Sequence, residues 1–252
     1  MTACPYCEHA SSIVRPFQNR GSEHLLLLRC SECACEFLDP QPSDDWLKQE
    51  YDGYFSKRSG QIPATKSRLC QLILSKLGEL PANSHILEIG GGEGHFVAEV
   101  FTARRDISMT LVEPQADPSR LPSSGVTVRA MVVETWLEKE PPFLFDAIVA
   151  MDLIEHLRNP TATFRELIAS RLKPGGRIVI TTPNAHSLSR KLLGSVWPHY
   201  KVEHITYPSD GALRRMAQAV GLNVEELSPL SKPLPVGYIL AVLRNFGPKP
   251  LR

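Results

Sequence analysis

From residue 84 onward, short apolar runs alternate with stretches of helical period. The runs at 84–89, 108–113, 126–129, 144–150 and 176–181 predict strands. Helices are expected between them, near 93–103, 152–158, 161–172 and 209–220. Alternation of this kind implies a parallel sheet flanked by helices. Two later apolar runs, "LNVEELS" (222–228) and "VGYILAVLR" (236–244), are close enough in the chain to pair antiparallel at a sheet edge. Ahead of the alternation, "DDWLKQEYDGYF" and "SRLCQLILSKLGEL" place apolar residues at i, i+3 and i+4, which predicts helices across 43–80, and "PANS" ends them. Residues 1–42 have neither period and are rich in cysteine. Three regions follow: a cysteine-rich leader over 1–42, a helical linker or lid over 43–83, and a ligand-binding α/β domain over 84–252.

The chain has 252 residues, 42% hydrophobic and 22% charged, enough for one substantial core and a small appendage. A net charge of +1 gives no sign of nucleic-acid binding by bulk electrostatics. The longest apolar run, "HLLLLRC", is too short to span a bilayer. Cys7 stands where a signal peptide would carry its apolar stretch, so a cytoplasmic protein is expected.

Within "SHILEIGGGEGHF", Glu88 closes a predicted strand, and Gly90, Gly91, Gly92 and Gly94 follow it into a helix. Glycines permit positive φ and let a ligand approach the backbone. In open α/β sheets ligands bind at this carboxyl end of the strands, so a nucleotide-like cofactor is expected here. The next strand ends in Glu113, an acid placed to accept ribose hydroxyl protons. The dinucleotide pattern G-x-G-x-x-G does not fit, because its third glycine falls on His95 or Val97. No Lys-Ser or Lys-Thr follows the loop, which excludes a P-loop. Glu93 at the helix start would repel a pyrophosphate and favours a cofactor without phosphates.

"LEIGGGEG" resembles motif I of the class I S-adenosylmethionine (SAM) methyltransferases. "LVEP", "FDAIVAMDLIEHLRNP", "LKPGGRIVITTPN" and "HITYPSDGALRRMAQAVGLNVEEL" resemble later pieces of that family, in the family's order, so the likeness covers about residues 84–245. The resemblance implies a Rossmann-like seven-stranded sheet with an antiparallel last strand. It implies cofactor contacts at Gly90, Gly91, Gly92 and Gly94, with Glu113 on the ribose and Glu88 near the methionyl amino group. Met151 and Asp152 would border the cofactor, and the adenine contacts would come from Met131 to Glu134.

Cys4-x2-Cys7 and Cys30-x2-Cys33 form two knuckles, the arrangement that tetrahedral zinc requires. Cys35 could replace Cys33 as a ligand, although its spacing makes a poorer knuckle. Cys70 lies on an apolar helix face and reads as a core residue. "CPYC…CSECACEFLDP…YDGYF" resembles the zinc-ribbon leader of some methyltransferases in sugar and natural-product pathways, with Ala34 where that leader usually has glycine. Four thiolates close a site, so this zinc would fold the leader and do no chemistry. Tyr51 and Tyr54 either border the cofactor or pack helices, with packing preferred.

"MDLIEH" places Asp152, Glu155 and His156 at i, i+3 and i+4, one face of an expected helix over the sheet's carboxyl edge. With His204 these groups could hold a divalent cation. The pattern resembles metal-assisted O-methyltransferases that act on vicinal oxygens, whose motif is Glu-x-x-Glu-His with a later His; here Asp152 is the shorter acid. Without a metal, His156 or His204 would act as general base, with His199 a third candidate and His85 and His95 weaker ones. The aromatic and basic stretch 185–204 reads as a lid on the substrate side.

The expected reaction is methylation of a hydroxyl on a small acceptor: a sugar, glycolipid or natural product. C- or N-methylation on the same scaffold and a non-catalytic zinc-ribbon interaction module are the alternatives. Arg15, Arg20 and Arg29 in the leader are outnumbered by Glu8, Glu23, Glu32, Glu36 and Asp39, which argues against a phosphate-tracking surface. Nothing in the pattern selects an oligomeric state.

Overall fold

The computed structural model describes residues 2–17, 24–51, 64–122 and 124–230. Its contacts divide the chain into two compact units, with boundaries after Leu47 and after Thr182. One holds the described residues up to Leu47 together with those from Pro183 on. The other is continuous from Lys48 to Thr182.

The first unit opens with a cysteine-rich turn and three antiparallel strands: β1 (Ser11–Pro16), β2 (Leu26–Cys30) and β3 (Glu36–Asp39). A first helix, α1 (Asp44–Tyr51), carries the chain across the boundary at Leu47.

The second unit begins with α2 (Ala64–Lys76), followed by β4 (His85–Ile89), α3 (His95–Ala103), β5 (Ser108–Val112) and β6 (Val126–Arg129). Then come α4 (Val133–Lys139), β7 (Phe145–Met151), α5 (Pro160–Arg171) and β8 (Leu172–Thr181). The five strands form one parallel sheet in the order β6-β5-β4-β7-β8. Strands such as "HILEI" and "FDAIVAM" are almost wholly buried, as a parallel sheet covered on both faces requires. Ile86, Met109, Leu111, Ala147 and Val149 pack with Phe96, Val97 and Val100 of α3 and with Cys70, Ile73 and Leu77 of α2. Cys70 is thus a core residue, and burial pushes its thiol up to about 11. Arg171 satisfies the carbonyl end of α4. Its guanidinium lies over Trp136 at 4.4 Å and donates to the carbonyls of Glu140, at 2.7 Å, and Pro141.

The chain returns to the first unit with α6 (Leu188–Leu193), β9 (Thr206–Tyr207) and α7 (Asp210–Ala219). β9 pairs antiparallel with β3, so the ribbon takes its fourth strand from beyond residue 200.

Two expectations are corrected. The 152–158 stretch is not an α-helix: only Ile154–His156 is helical, as a single 3-10 turn. Asp152 precedes that turn with φ 50°, so the common helical face expected for Asp152, Glu155 and His156 does not form. Its amide donates to the Thr181 carbonyl at 2.8 Å, which extends the β7–β8 ladder one residue, and its left-handed φ keeps the helix from starting there. The run 222–228 forms no strand, and 236–244 and Tyr54 lie outside the described residues. Five parallel strands are therefore what the described residues contribute to the expected seven. No helix among them is long and apolar enough to cross a membrane.

Candidate functional site

Strand order reverses between β4 and β7, and their carboxyl ends open the crevice where open α/β sheets bind ligands. Ile89, Val112, Arg129, Met151 and Thr181 all end strands at this edge.

From β4 the chain passes through Gly90, Gly92 and Gly94 with φ of 74°, 56° and 76°, the left-handed region that glycine enters without penalty. Gly94 is the N-cap of α3, so the helix starts at His95, two residues later than expected. Gly91 is required for room. A Cβ there would lie 2.7 Å from Cδ of Glu88, while one on Gly90 would meet Leu153 at 3.0 Å and one on Gly94 would overlap Leu121. Glu113 braces the loop from the next strand: its Oε2 accepts the Gly92 amide at 3.1 Å and its Oε1 the Gln115 amide at 3.0 Å. Each oxygen keeps a lone pair for a hydroxyl donor.

Glu88 is fully buried, and neither of its carboxylate oxygens has a hydrogen-bond partner among the described residues. Burial, and then the neighbouring Glu113 charge, raise its pKa to about 8. An uncompensated acid in the core under a bared loop is costly unless something polar arrives to meet it. Glu93 ion-pairs with Arg120 at 2.7 Å and lies 3.3 Å from His95, so its charge is neutralised beside the loop. Arg120 and Leu121 were not singled out in the sequence. They sit in a Pro-initiated turn without periodicity, and no motif marks them.

At the end of β7, Met151 is half-buried and Asp152 accepts a hydrogen bond from Oγ1 of Thr181 at 3.2 Å. Glu155 is fully buried and accepts from Oγ1 of Thr182 at 2.9 Å, with half-buried His156 next in the chain. Met131 and Val132 form the turn into α4 beyond β6, with Val132 half exposed.

In the other unit, the Sγ atoms of Cys4, Cys7, Cys30 and Cys33 all lie within 4.8 Å of one another. Cys4–Cys33 and Cys7–Cys30 are each 3.5 Å apart. Zn–S bonds near 2.3 Å give tetrahedral edges of about 3.8 Å, so the four thiols fit one ion. The amides of Tyr6, Glu32 and Cys33 point at Cys4 or Cys30 sulfur at 3.4 Å, the donors that thiolates need. Ala34 has φ 57°, which explains why this leader usually has glycine there: alanine costs roughly 1 kcal/mol in that region. Cys35 is fully buried with its Sγ 3.5 Å from Cys4, yet only Cys33 joins the cluster of four. His204 is buried in this unit, with ring centroids 6.2 Å from His199 and 6.3 Å from Tyr207.

A methyltransferase-domain family model matches residues 62–227. The ubiquinone biosynthesis O-methyltransferase of Aeromonas salmonicida is 27% identical over 170 residues, 60% of this chain and 70% of that protein. Its namesake in Xanthomonas axonopodis pv. citri is 30% identical over 164 residues, 59% of this chain and 66% of that protein. The chain thus spans about two thirds of the length of these relatives. Among solved structures, the BH2331 protein of Bacillus halodurans superimposes with a TM-score of 0.52 at 15% identity, covering 62% of this chain and 70% of that one. That likeness shows the α/β fold.

Proposed function

Because the chain belongs to the methyltransferase domain family and is a class I SAM-dependent methyltransferase, we propose that it methylates a hydroxyl oxygen on a small acceptor. What carries this reading is the buried acid Glu155 beside His156 at the carboxyl end of β7, in a chain whose relatives bear the name of O-methyltransferases. The cofactor supplies a methyl group already activated by a sulfonium. The chain's residues hold it, aim the acceptor oxygen at it, exclude water and remove the hydroxyl proton.

In this reading the Gly90–Gly94 loop passes close under the cofactor, and Glu113 accepts from its ribose hydroxyls. Glu88, with both oxygens unspent, receives its amino group. Glu88 must lose a proton to pair with an ammonium, so binding releases a proton below pH 8. Affinity for S-adenosylhomocysteine is expected to rise with pH between 6 and 8, by up to about tenfold per unit. Glu88→Gln should flatten the profile in calorimetric titration. A flat profile in the native protein would remove Glu88 from this role.

His156 and His204 are the proposed acceptors of the hydroxyl proton. A divalent cation on Glu155 and His156 would acidify the oxygen instead. Turnover that is lost on metal removal and restored by magnesium or manganese ions would select the cation. The four cysteines are proposed to hold structural zinc.

Incubation with methyl-labelled SAM and a panel of dihydroxylated aromatics, sugars, glycolipids, amines and activated carbon acids tests the acceptor class. A labelled ether is the expected product. Label only on nitrogen or carbon, or bound S-adenosylhomocysteine with no transfer to any acceptor, would overturn the reading.

A further inference from the structure

The ribbon does not end where its cysteines end. β3 and β9 pair through Glu36 with Tyr207 and Phe37 with Thr206, and the Leu38 amide donates to the Ile205 carbonyl at 3.0 Å. Thr206 is fully buried, with its hydroxyl 3.2 Å from that of Tyr6, between Cys4 and Cys7. Glu36, also buried, is held by Arg190 at 2.8 Å and by the Tyr200 hydroxyl. Phe17, Leu25, Leu27 and Leu38 of the ribbon share one apolar cluster with Trp197, Tyr200, Val202 and Tyr207.

One hydroxyl joins helix to knuckle. Ser209 is fully buried and caps α7 by accepting the Ala212 amide at 3.0 Å. It spends its own proton on the carbonyl of Cys33. The approach is close enough that a Cβ on Gly211 would come within 3.1 Å of the same carbonyl. Farther along α7, Arg215 reaches Glu32 of the knuckle at 3.3 Å.

We propose that Ser209 is a positioning residue that seats α7 on the Cys30–Cys33 knuckle, so that the metal orders β9, α7 and the stretch carrying His204 along with the ribbon. The inference rests on zinc at the four cysteines and on the role proposed for His204. A serine that merely capped the helix would need only its lone pair. The second bond, from its proton to the knuckle, makes the two ends interdependent. Zinc would then hold the knuckle carbonyl in place, and that carbonyl would hold the start of α7.

The test uses the full chain. Metal content is measured first. The protein is then stripped with a chelator, and hydrogen exchange is followed with S-adenosylhomocysteine present. Amides of 30–38 and of 204–219 should lose protection together, by tenfold or more, while β4 and β5 and the cofactor affinity stay within twofold. Ser209→Asp separates seating from capping, because an aspartate caps a helix but has no proton to give the Cys33 carbonyl. It should speed zinc release to a colorimetric chelator at least fivefold, and Ser209→Thr, which keeps cap and donor, should restore the native rate. A protein without metal at the cysteines would refute the premise and the inference with it. Metal present but α7 protection unchanged on stripping would overturn the inference alone, even if Ser209→Asp fails to fold. So would a native release rate in folded Ser209→Asp.

Discussion

Gly91→Val is expected to lower affinity for S-adenosylhomocysteine by about 100-fold, equivalent to about 2.7 kcal/mol. A Cβ at 91 falls 2.7 Å from Cδ and 2.9 Å from Oε1 of Glu88. Glu88 cannot swing away, because it is fully buried on the central strand of the sheet. The loop must therefore rise into the space proposed for the cofactor, and overpacking of this kind costs about 1–3 kcal/mol. Gly175→Ala is the control. Unlike Gly91 it has a positive φ, 77°, but nothing lies within 4 Å of its Cβ position, so it bears backbone strain without any steric clash. Calorimetric titration should find Gly175→Ala within twofold of the native chain. Native affinity in a folded Gly91→Val would mean that the cofactor does not sit on this loop.

If His156 or His204 is the proposed base, its substitution by Ala is expected to lower turnover by about 10²–10⁴, the contribution of a positioned general base, with S-adenosylhomocysteine affinity held within about threefold. His156 ends the 3-10 turn beyond β7, and His204 is buried on the approach to β9. Neither belongs to the glycine loop, so substitution should leave cofactor binding intact and strike the proton-removal step. Single-turnover rates across a pH series separate the two: the variant that has lost the base loses the acidic limb of the profile, while a variant that has lost only packing keeps it at lower amplitude. Full turnover in both variants would end the base assignment and, because His156 is also a proposed ligand of the cation, the cation reading with it.

What the chain's linear pattern determined is the parallel sheet, the loop and the cysteine knuckles. Each is written in neighbouring residues: an apolar run bounded by turn chemistry for β4, β5 and β7, glycines where φ is positive, thiols with two residues between them on one turn. The knuckles even show at Ala34 why glycine is the usual residue there. What only the tertiary structure decided depends on partners distant in the chain. Asp152 has the spacing of a helix, but bonded to the Thr181 carbonyl it stands at φ 50°, and only one 3-10 turn follows. Leu121 closes on Gly94 from a turn without pattern. β9, two residues long, has no period to read, and its place beside β3 is set by Thr206 meeting Tyr6 and by Ser209 meeting Cys33. Local propensity and spacing act within a turn or a strand. The bonds that attach α6, β9 and the start of α7 to the cysteine ribbon cross more than 150 residues, and only the folded chain brings their two ends together.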